Sequence, residues 1–172
     1  MKLISILNCD NKYGIGKRNG LLFRQPKDMA FFRQTTSGHT VAMGENTLLS
    51  FPGSKPLPKR VNIVLSQDEN HNYQGVLNVH SFEDFLTQIA IAKEKDDVFI
   101  IGGASIYKQT LPYVDEVYLT KIDADGGAEV FFVNIDEEPD FELVSETEPE
   151  EDNGNMIRFC VYRNKNPRKL GD

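Results

Sequence analysis

Short apolar runs of the kind that forms buried β-strands alternate along this chain with segments of helical character. Strands are predicted at residues 2–9, 40–43, 61–66, 76–79, 97–101 and 114–122. Helices are predicted between them at residues 26–37, around residues 48 and 49, and at residues 82–93 and 104–111. This alternation is typical of a largely parallel sheet with helices on both faces.

The end of the chain departs from this alternation. Residues 141–147 and 155–163 are predicted as two strands joined through Asp152-Asn153-Gly154, because Asn-Gly favours a tight hairpin turn. An antiparallel hairpin at one edge would make the sheet mixed. The length of 172 residues suits one domain, and the polar residues 164–172 are expected to form a tail.

Composition and charge exclude several classes of partner. A net charge of -7 and a pI of about 5.0 argue against nucleic acid and against an anionic membrane surface. No apolar run approaches membrane-spanning length, and the first one is too short for a signal peptide. Cys9 and Cys160 fit no metal motif and are expected to be buried free thiols. We therefore expect a cytoplasmic monomer that acts on a small molecule and holds no metal.

Loops with functional residue types, most of them rich in glycine, follow several of the predicted strands. They comprise the loop of residues 10–25, Met43-Gly44-Glu45-Asn46-Thr47, the end of the strand at Ser66, and Gly102-Gly103-Ala104-Ser105. In open α/β sheets, ligands bind beyond the carboxyl ends of the strands, so these loops should share one site. The turn at Gly102-Gly103 is either a phosphate-binding loop or only a tight turn, and it does not match the GxGxxG fingerprint. The turn at Gly44 repeats the arrangement after another strand. Two such turns favour a ligand with a diphosphate, such as a dinucleotide.

One acid, Asp28, stands among apolar and aromatic residues at the start of the predicted helix 26–37. A carboxylate in such surroundings is costly to bury, and its pKa is easily shifted. It is either a first-turn acid favoured by the helix dipole or a functional group in a pocket. The residues alone leave both readings open.

An ordered set of short motifs resembles the dihydrofolate reductase family over roughly residues 1–163. The motifs are Ile15-Gly16, Asn19-Gly20-Leu21-Leu22-Phe23, Pro26-x-Asp28-Met29-x-Phe31-Phe32-x-x-Thr35-Thr36, Met43-Gly44-x-x-Thr47, Pro56-Leu57-Pro58-x-Arg60-x-Asn62-Ile63-Val64-Leu65-Ser66, Ile100-Ile101-Gly102-Gly103 with Tyr107, and Leu119-Thr120-x-Ile122-Asp123. The resemblance implies a single-domain, eight-stranded mixed sheet, mostly parallel and flanked by helices. It also implies reduction of 7,8-dihydrofolate by hydride transfer from NADPH.

Two other functions are weighed against this one. The first is a related reductase of the same fold that acts on a ribosylated pyrimidine in flavin synthesis. The Asp28 helix and the loop of residues 56–60 argue against it. The second is a non-catalytic nucleotide-binding module, against which the presence of both Asp28 and Thr120 argues.

By resemblance, Asp28, Phe23 and Thr120 form the catalytic set. Asp28 would pair with the 2-amino group and N3 of the pterin, and a water or a ring tautomer would deliver the proton to N5. Arg60 would bind the glutamate α-carboxylate. The full implied substrate-binding set is Ile4, Ile6, Asp28, Met29, Phe32, Phe51, Leu57, Arg60, Ile101 and Thr120, with backbone carbonyls of Ile4 and Ile101 facing the pterin.

The resemblance also implies a cofactor site, with residues of about 40–93 forming an adenosine-binding subdomain. The implied residues are Ile6, Ile15, Gly16, Asn19, Gly44, Glu45, Asn46, Thr47, Leu65, Ser66, Gln67, His80, Ile101, Gly102, Gly103, Ala104, Ser105, Ile106 and Tyr107. The Gly102–Gly103 peptide is expected to be cis, and the loop of residues 10–25 to be a mobile lid.

Three of these positions depart from the family pattern. Glu45 and Ser105 stand where arginine is common, and His80 stands where lysine is common. An acid near a 2′-phosphate repels it but suits a 2′-hydroxyl. We therefore hypothesise a weakened preference for NADPH, with measurable use of NADH. Phe23, which replaces a common tryptophan, can form a wall but has no indole N–H to donate.

Overall fold

The structure is a computed structural model that describes residues 1–17 and 22–171. One large sheet contains β1 (Leu3–Cys9), β3 (Thr40–Gly44), β4 (Val61–Leu65), β5 (Leu77–Val79), β6 (Val98–Ile100), β7 (Glu116–Ile122), β9 (Phe141–Glu146), β10 (Glu150–Asp152) and β11 (Asn155–Asn164). A two-stranded sheet pairs β2 (Gly14–Gly16) with β8 (Val130–Phe131). The helices are α1 (Pro26–Thr36), α2 (Glu45–Ser50), α3 (Phe82–Lys93) and α4 (Ala104–Thr110).

The large sheet runs in the order β10-β11-β7-β1-β6-β3-β4-β5, and β9 also pairs with β11. β9 and β10 lie along the same side of β11, because β7 occupies its other side. Together they fill the eighth position of a sheet that is eight strands wide. Pairing is parallel from β7 to β5 and antiparallel around β11. The predicted mixed sheet is confirmed.

Alternating side chains of the central strands form two apolar layers. On one face, Ile4, Val41 and Phe99 pack with Leu48 of α2 and with the aromatic residues of α1. On the other, residues such as Leu3 and Ile100 pack with α3 and α4. Because successive strand residues point to opposite faces, the near-continuous apolar runs of the sequence supply both layers.

The helix predictions hold to within one or two residues. Pro26 stands in the first turn of α1, where its missing N–H is not needed. Ser81 caps α3 by accepting a hydrogen bond from the Asp84 N–H over 3.0 Å. α4 ends at Thr110 and continues as a short 3₁₀ turn that contains Pro112. Both cysteines are buried and free, as expected.

One prediction about strands was wrong, and two short strands were not predicted. The turn at Asn153-Gly154 joins β11 to the short strand β10, and not to the strand that starts at Phe141. Both turn residues have positive φ, 50° and 88°, as a tight hairpin requires. The sequence also gave no sign of β2 and β8, because a three-residue strand with two glycines has no hydrophobic periodicity.

No helix in the described ranges is long and apolar enough to cross a lipid bilayer.

Candidate active site

An open cleft of about 400 Å³ lies beyond the carboxyl ends of β3, β4 and β6. Its eleven lining residues are Gly44, Glu45, Asn46, Thr47, Leu65, Ser66, Gln67, Gly103, Ala104, Ser105 and Ile106. All eleven stand in the cofactor set that the sequence predicts. Parallel strands place their following loops at the same edge, which is why three separate turns meet here.

The floor of the cleft depends on close backbone approach at glycine. The Gly44 N–H donates to the Gly102 carbonyl over 2.9 Å, and the Gly102–Gly103 peptide is cis, as expected. A Cβ on Gly102 would lie 3.2 Å from Thr47 Oγ1, and its φ of 127° disfavours any other residue. Tyr107 lies below these turns and donates its hydroxyl hydrogen to the Ile6 carbonyl over 2.9 Å.

Other members of the predicted cofactor set lie around the cleft without lining it. Ile15 and Gly16 belong to β2, and Ile101 packs on the apolar layer that contains Ile4. His80 Nδ1 lies 2.9 Å from the Ser66 carbonyl oxygen, and His80 Nε2 lies 2.9 Å from Asn72 Oδ1. Asn19 falls outside the described residues.

Glu45 gives the cleft its charge. Tyr73 donates to Glu45 Oε2 over 2.7 Å, and His71 Nδ1 lies 3.1 Å from the same oxygen. The Tyr73 hydrogen bond, helped by Ser66 and His71, outweighs partial burial and lowers the pKa of Glu45. Among the lining residues that the structure describes, only Glu45 carries a charge, so the cleft has a fixed anion and no lining cation.

Asp28 lies in the first turn of α1, against residues near the carboxyl ends of β1 and β7, and is only 9% exposed. Asn8 Nδ2 donates to Asp28 Oδ2 over 2.7 Å, and Thr120 Oγ1 donates to Asp28 Oδ1 over 2.6 Å. Burial raises the pKa of Asp28, the two hydrogen bonds oppose that rise, and the nearby charge of Asp152 adds to it. The carboxylate is thus held in place inside an environment that disfavours its charge.

The sequence-based reasoning did not identify Asn8. The signal for it was present, because an amide at position 8 interrupts the apolar face of β1 formed by Ile4 and Ile6. Only the strand register shows that this amide stands directly opposite Thr120 on β7.

An apolar wall lies on the face of the sheet against which α1 packs. Phe32, Phe51, Leu57 and Ile101 all pack against the layer that contains Ile4 and Ile6. Met29 lies at the rim and is 46% exposed. The wall therefore gathers side chains from α1, from the loop after α2 and from the end of β6.

Ile4 and Ile6 take different positions in the pairing of β1 with β6. Pairing between β1 and β6 ends at Ser5 and Ile100, so Ile4 lies within the ladder and Ile6 lies beyond it. The Tyr107 hydroxyl contacts the Ile6 carbonyl, and no comparable contact to the Ile4 carbonyl is seen in the described part of the chain. That the Ile4 carbonyl faces the pterin stays a prediction.

Arg60 lies near the end of the apolar wall. It donates to the Pro58 carbonyl and to Thr36 Oγ1, each over 2.9 Å. Partial burial, with the charge of Arg33 nearby, lowers the pKa of Arg60 from its usual value. A guanidinium has five N–H groups, so these two bonds leave donors for a ligand carboxylate.

Asp10 fixes the base of the glycine-bearing loop. It accepts hydrogen bonds from the backbone N–H groups of Lys12 (2.8 Å), Gly14 (2.7 Å) and Gly126 (3.1 Å). Gly126 packs closely on Phe23, since a Cβ there would lie 3.0 Å from Phe23 Cζ. One buried carboxylate therefore joins this loop to the segment after β7.

The C-terminal hairpin supports α1 from outside. Asp152 Oδ2 accepts a hydrogen bond from the Lys27 N–H over 3.1 Å, in the first turn of a helix that lacks a side-chain cap of its own. Gln25, which is 2% exposed, donates to the Asp152 carbonyl over 2.6 Å and accepts from Asn155. This support fixes the position of Asp28 one residue after Lys27.

The chain matches the family model described as Dihydrofolate reductase over residues 2–165. The chain belongs to the dihydrofolate reductase family. It is 36% identical to the dihydrofolate reductase of Bacillus subtilis over 159 residues, which covers 91% of each chain. It is also 36% identical to the Haemophilus influenzae enzyme, over 88% of this chain and 91% of that one.

A solved structure of dihydrofolate reductase from Enterococcus faecalis, complexed with NADP(H) and RAB-propyl, superimposes with a TM-score of 0.83. The two chains are 30% identical, and the alignment covers 96% of this chain and 97% of that one. The family resemblance and the fold predicted from the sequence are confirmed.

The described residues contain no cluster of three or more side chains suited to hold a metal ion.

Proposed function

We propose that this chain reduces 7,8-dihydrofolate to 5,6,7,8-tetrahydrofolate with NADPH. The observation that carries the proposal is the buried carboxylate of Asp28, held by Asn8 and Thr120 beside an apolar wall. Its two partners stand near the carboxyl ends of β1 and β7, at the edge of the sheet where the glycine turns form the cleft, in a chain of this family. Family membership favours neither the pyrimidine reductase of flavin synthesis nor a non-catalytic nucleotide-binding module.

The residues present fit most of a dinucleotide. The turns at Gly44 and Gly102–Gly103 expose backbone where a side chain would block it, and Thr47 adds a hydroxyl at the same place. We assign the adenosine half to residues 40–93, because this segment supplies seven of the eleven lining residues, from Gly44 to Thr47 and from Leu65 to Gln67. NADPH, when bound, supplies the hydride.

On the substrate side, Asp28 would accept hydrogen bonds from the 2-amino group and N3 of the pterin. Thr120 donates a hydrogen bond to one of its oxygens. The wall that includes Phe32 and Leu57 would exclude water from the ring, which strengthens these bonds. Arg60 would pair with the α-carboxylate of the glutamate part.

The test is the consumption of NADPH when dihydrofolate is added to the purified protein. Asp28→Asn keeps the shape of the side chain and removes its charge, so kcat/KM near neutral pH should fall by about 100-fold or more. Glu83→Asn, at an exposed site on α3, is a matched loss of one carboxylate and should leave the rate unchanged. An Asp28→Asn enzyme as active as the parent would remove Asp28 from the mechanism.

We further propose that NADH is a usable cofactor. Glu45 is held ionised by Tyr73 and His71 in a cleft whose described lining has no cation. Such an anion repels a 2′-phosphate and can accept hydrogen bonds from a ribose 2′-hydroxyl.

The measurement is kcat/KM with each cofactor in parent and Glu45→Gln enzymes. The neutral amide should raise the NADPH-to-NADH ratio by about tenfold, because one repulsive charge is removed. Glu83→Gln provides the same charge change away from the cleft and should not alter the ratio. A parent preference for NADPH of about a thousandfold or more would contradict the proposal.

We also propose that the protein is a cytoplasmic monomer without nucleic-acid or membrane partners. Its net charge of -7 and the absence of a bilayer-spanning helix among the described residues support this proposal. Light scattering on the purified chain tests the oligomeric state, and a dimer at micromolar concentration would contradict it.

A further inference from the structure

Asn8 and Thr120 are neighbours across a parallel strand pair. The register places Asn8 of β1 opposite Thr120 of β7, and both side chains point to the face on which α1 packs. Each donates a hydrogen bond to a different oxygen of Asp28, over 2.7 and 2.6 Å. The carboxylate is therefore held by side chains of two strands, β1 and β7, and the backbone pairing of these strands keeps the two side chains at a fixed separation.

This arrangement leaves room for a ligand on both oxygens. An ionised carboxylate offers about four acceptor positions, two on each oxygen. Asn8 uses one on Oδ2 and Thr120 uses one on Oδ1. One position remains on each oxygen, which is what a planar ligand with two parallel N–H donors requires.

We propose that Asn8 is a positioning residue for substrate binding, which holds Asp28 Oδ2 so that both carboxylate oxygens face the two N–H donors of the substrate ring. The proposal rests on the function proposed above, in which Asp28 is the carboxylate that binds this ring. Thr120 alone fixes one oxygen and leaves the carboxylate free to turn about it. With Asn8, the plane of the carboxylate is set before the substrate arrives, so less ordering is needed on binding.

The other charged and titratable groups around Asp28 do not replace this bond. Asp152 of β10 is an acid whose charge disfavours ionisation of Asp28. Tyr107 of α4 donates to the Ile6 carbonyl instead. The ammonium of Lys27 contacts Glu150 and the Glu151 carbonyl. Among the described residues, the donors that reach Asp28 are thus Asn8 and Thr120.

The decisive variant is Asn8→Leu. Leucine has nearly the same shape as asparagine, so it removes the donor while keeping Asp28 shielded from water. The bond from Asn8 favours the charged form, so its loss should move the titration midpoint of Asp28 upward by about one pH unit. The midpoint is measured directly from the ¹³C chemical shift of the Asp28 carboxyl group in the ligand-free protein.

Kinetics give the second readout. Because the bond positions the substrate, KM for dihydrofolate should rise about tenfold in Asn8→Leu, with a smaller change in kcat. The pH dependence of kcat/KM should move upward together with the NMR midpoint. Asn134→Leu, the same change at an exposed site before the turn at Ile135, should leave both readouts unchanged.

A donor of different shape tests whether the hydrogen bond itself matters. Asn8→Thr keeps a donor on the same face and suits a strand, so it should restore most of the midpoint and of KM. Asn8→Ala replaces Asn8→Leu if the leucine variant does not fold, and it should also raise the midpoint. An unchanged or lowered midpoint in the donor-free variant, or no recovery with Asn8→Thr, would overturn the proposal.

Failure of the proposed function gives a different result. If the parent enzyme does not reduce dihydrofolate but the midpoint still rises in Asn8→Leu, then Asn8 positions the carboxylate for another ligand and the assigned reaction is wrong. If the parent is active and the midpoint does not move, the reaction stands and the role of Asn8 is wrong.

Discussion

Replacing Asp28 by asparagine should make the folded protein more stable at neutral pH. Asp28 is 9% exposed, and burial raises the pKa of its carboxyl group despite the bonds from Asn8 and Thr120. In Asp28→Asn the amide oxygen can still accept from Asn8, and the amide N–H can donate to Thr120 Oγ1. The change thus removes the buried charge and keeps the two contacts.

The sign and size follow from the direction of the pKa shift. Because the folded pKa is raised, the folded protein binds more protons than the unfolded chain between the unfolded value, about 3.9, and the folded value. The contribution of Asp28 to parent stability therefore declines as pH rises through that window and is constant above it. Removing this charge should therefore stabilise the variant at neutral pH, by about 1–2 kcal/mol, which is within the usual range for a single substitution.

Urea denaturation of parent and variant at a series of pH values measures this gain. The difference in free energy of unfolding should be near zero at about pH 3.5, widen as pH rises and then level off. A gain of this size corresponds to a rise in Tm of about 2–8 °C. A variant that is less stable at neutral pH, or a difference that does not depend on pH, would refute the reasoning.

Three further substitutions test individual contacts by urea denaturation. Ser5→Ala should raise the free energy of unfolding by about 0.5–1 kcal/mol, since the Ser5 hydroxyl is buried and lacks a hydrogen-bond partner in the described chain; a loss of stability would contradict this. Tyr107→Phe should lower it by about 1–2 kcal/mol, because the Ile6 carbonyl loses its hydroxyl donor; no change would argue that water replaces the donor. Asp10→Asn should lower it by about 1–3 kcal/mol and speed hydrogen exchange at the Gly126 N–H, since the amide oxygen can still accept from Lys12 and Gly14 but the amide nitrogen cannot accept from Gly126; unchanged exchange would show that Asp10 does not join the two segments.

Local signals predicted much of this structure. Ser81 followed three residues later by Asp84 indicated the start of α3, and the structure places it there. The cleft could be predicted because glycine turns after parallel strands must meet at one edge of the sheet, whatever the order of the strands. Both inferences need only nearby residues and one general rule of topology.

The contacts around Asp28 could not be predicted in the same way. The hydrogen bond from Asn8 to Asp28 depends on how α1 packs against β1. The hydrogen bond by which Asp152 caps α1 joins residues that are 125 positions apart. No local pattern encodes either contact. The division of the C-terminal edge between β9 and β10 was missed for the same reason, because only pairing with β11 distinguishes the two strands.

The junction between the two small strands also limits how this protein can change length. β2 pairs with β8, the Gly16 carbonyl accepts from the Glu129 N–H, and Asp10 reaches Gly126. A Cβ on Gly14 would lie only 2.3 Å from the Ala128 Cβ, so the segment that contains Gly14 and the segment that contains Ala128 have no free space between them. An insertion in one segment would shift its pairing unless the other lengthened to match. We therefore expect residues 10–17 and 124–131 to vary in length together among related sequences, although more than a hundred residues separate them.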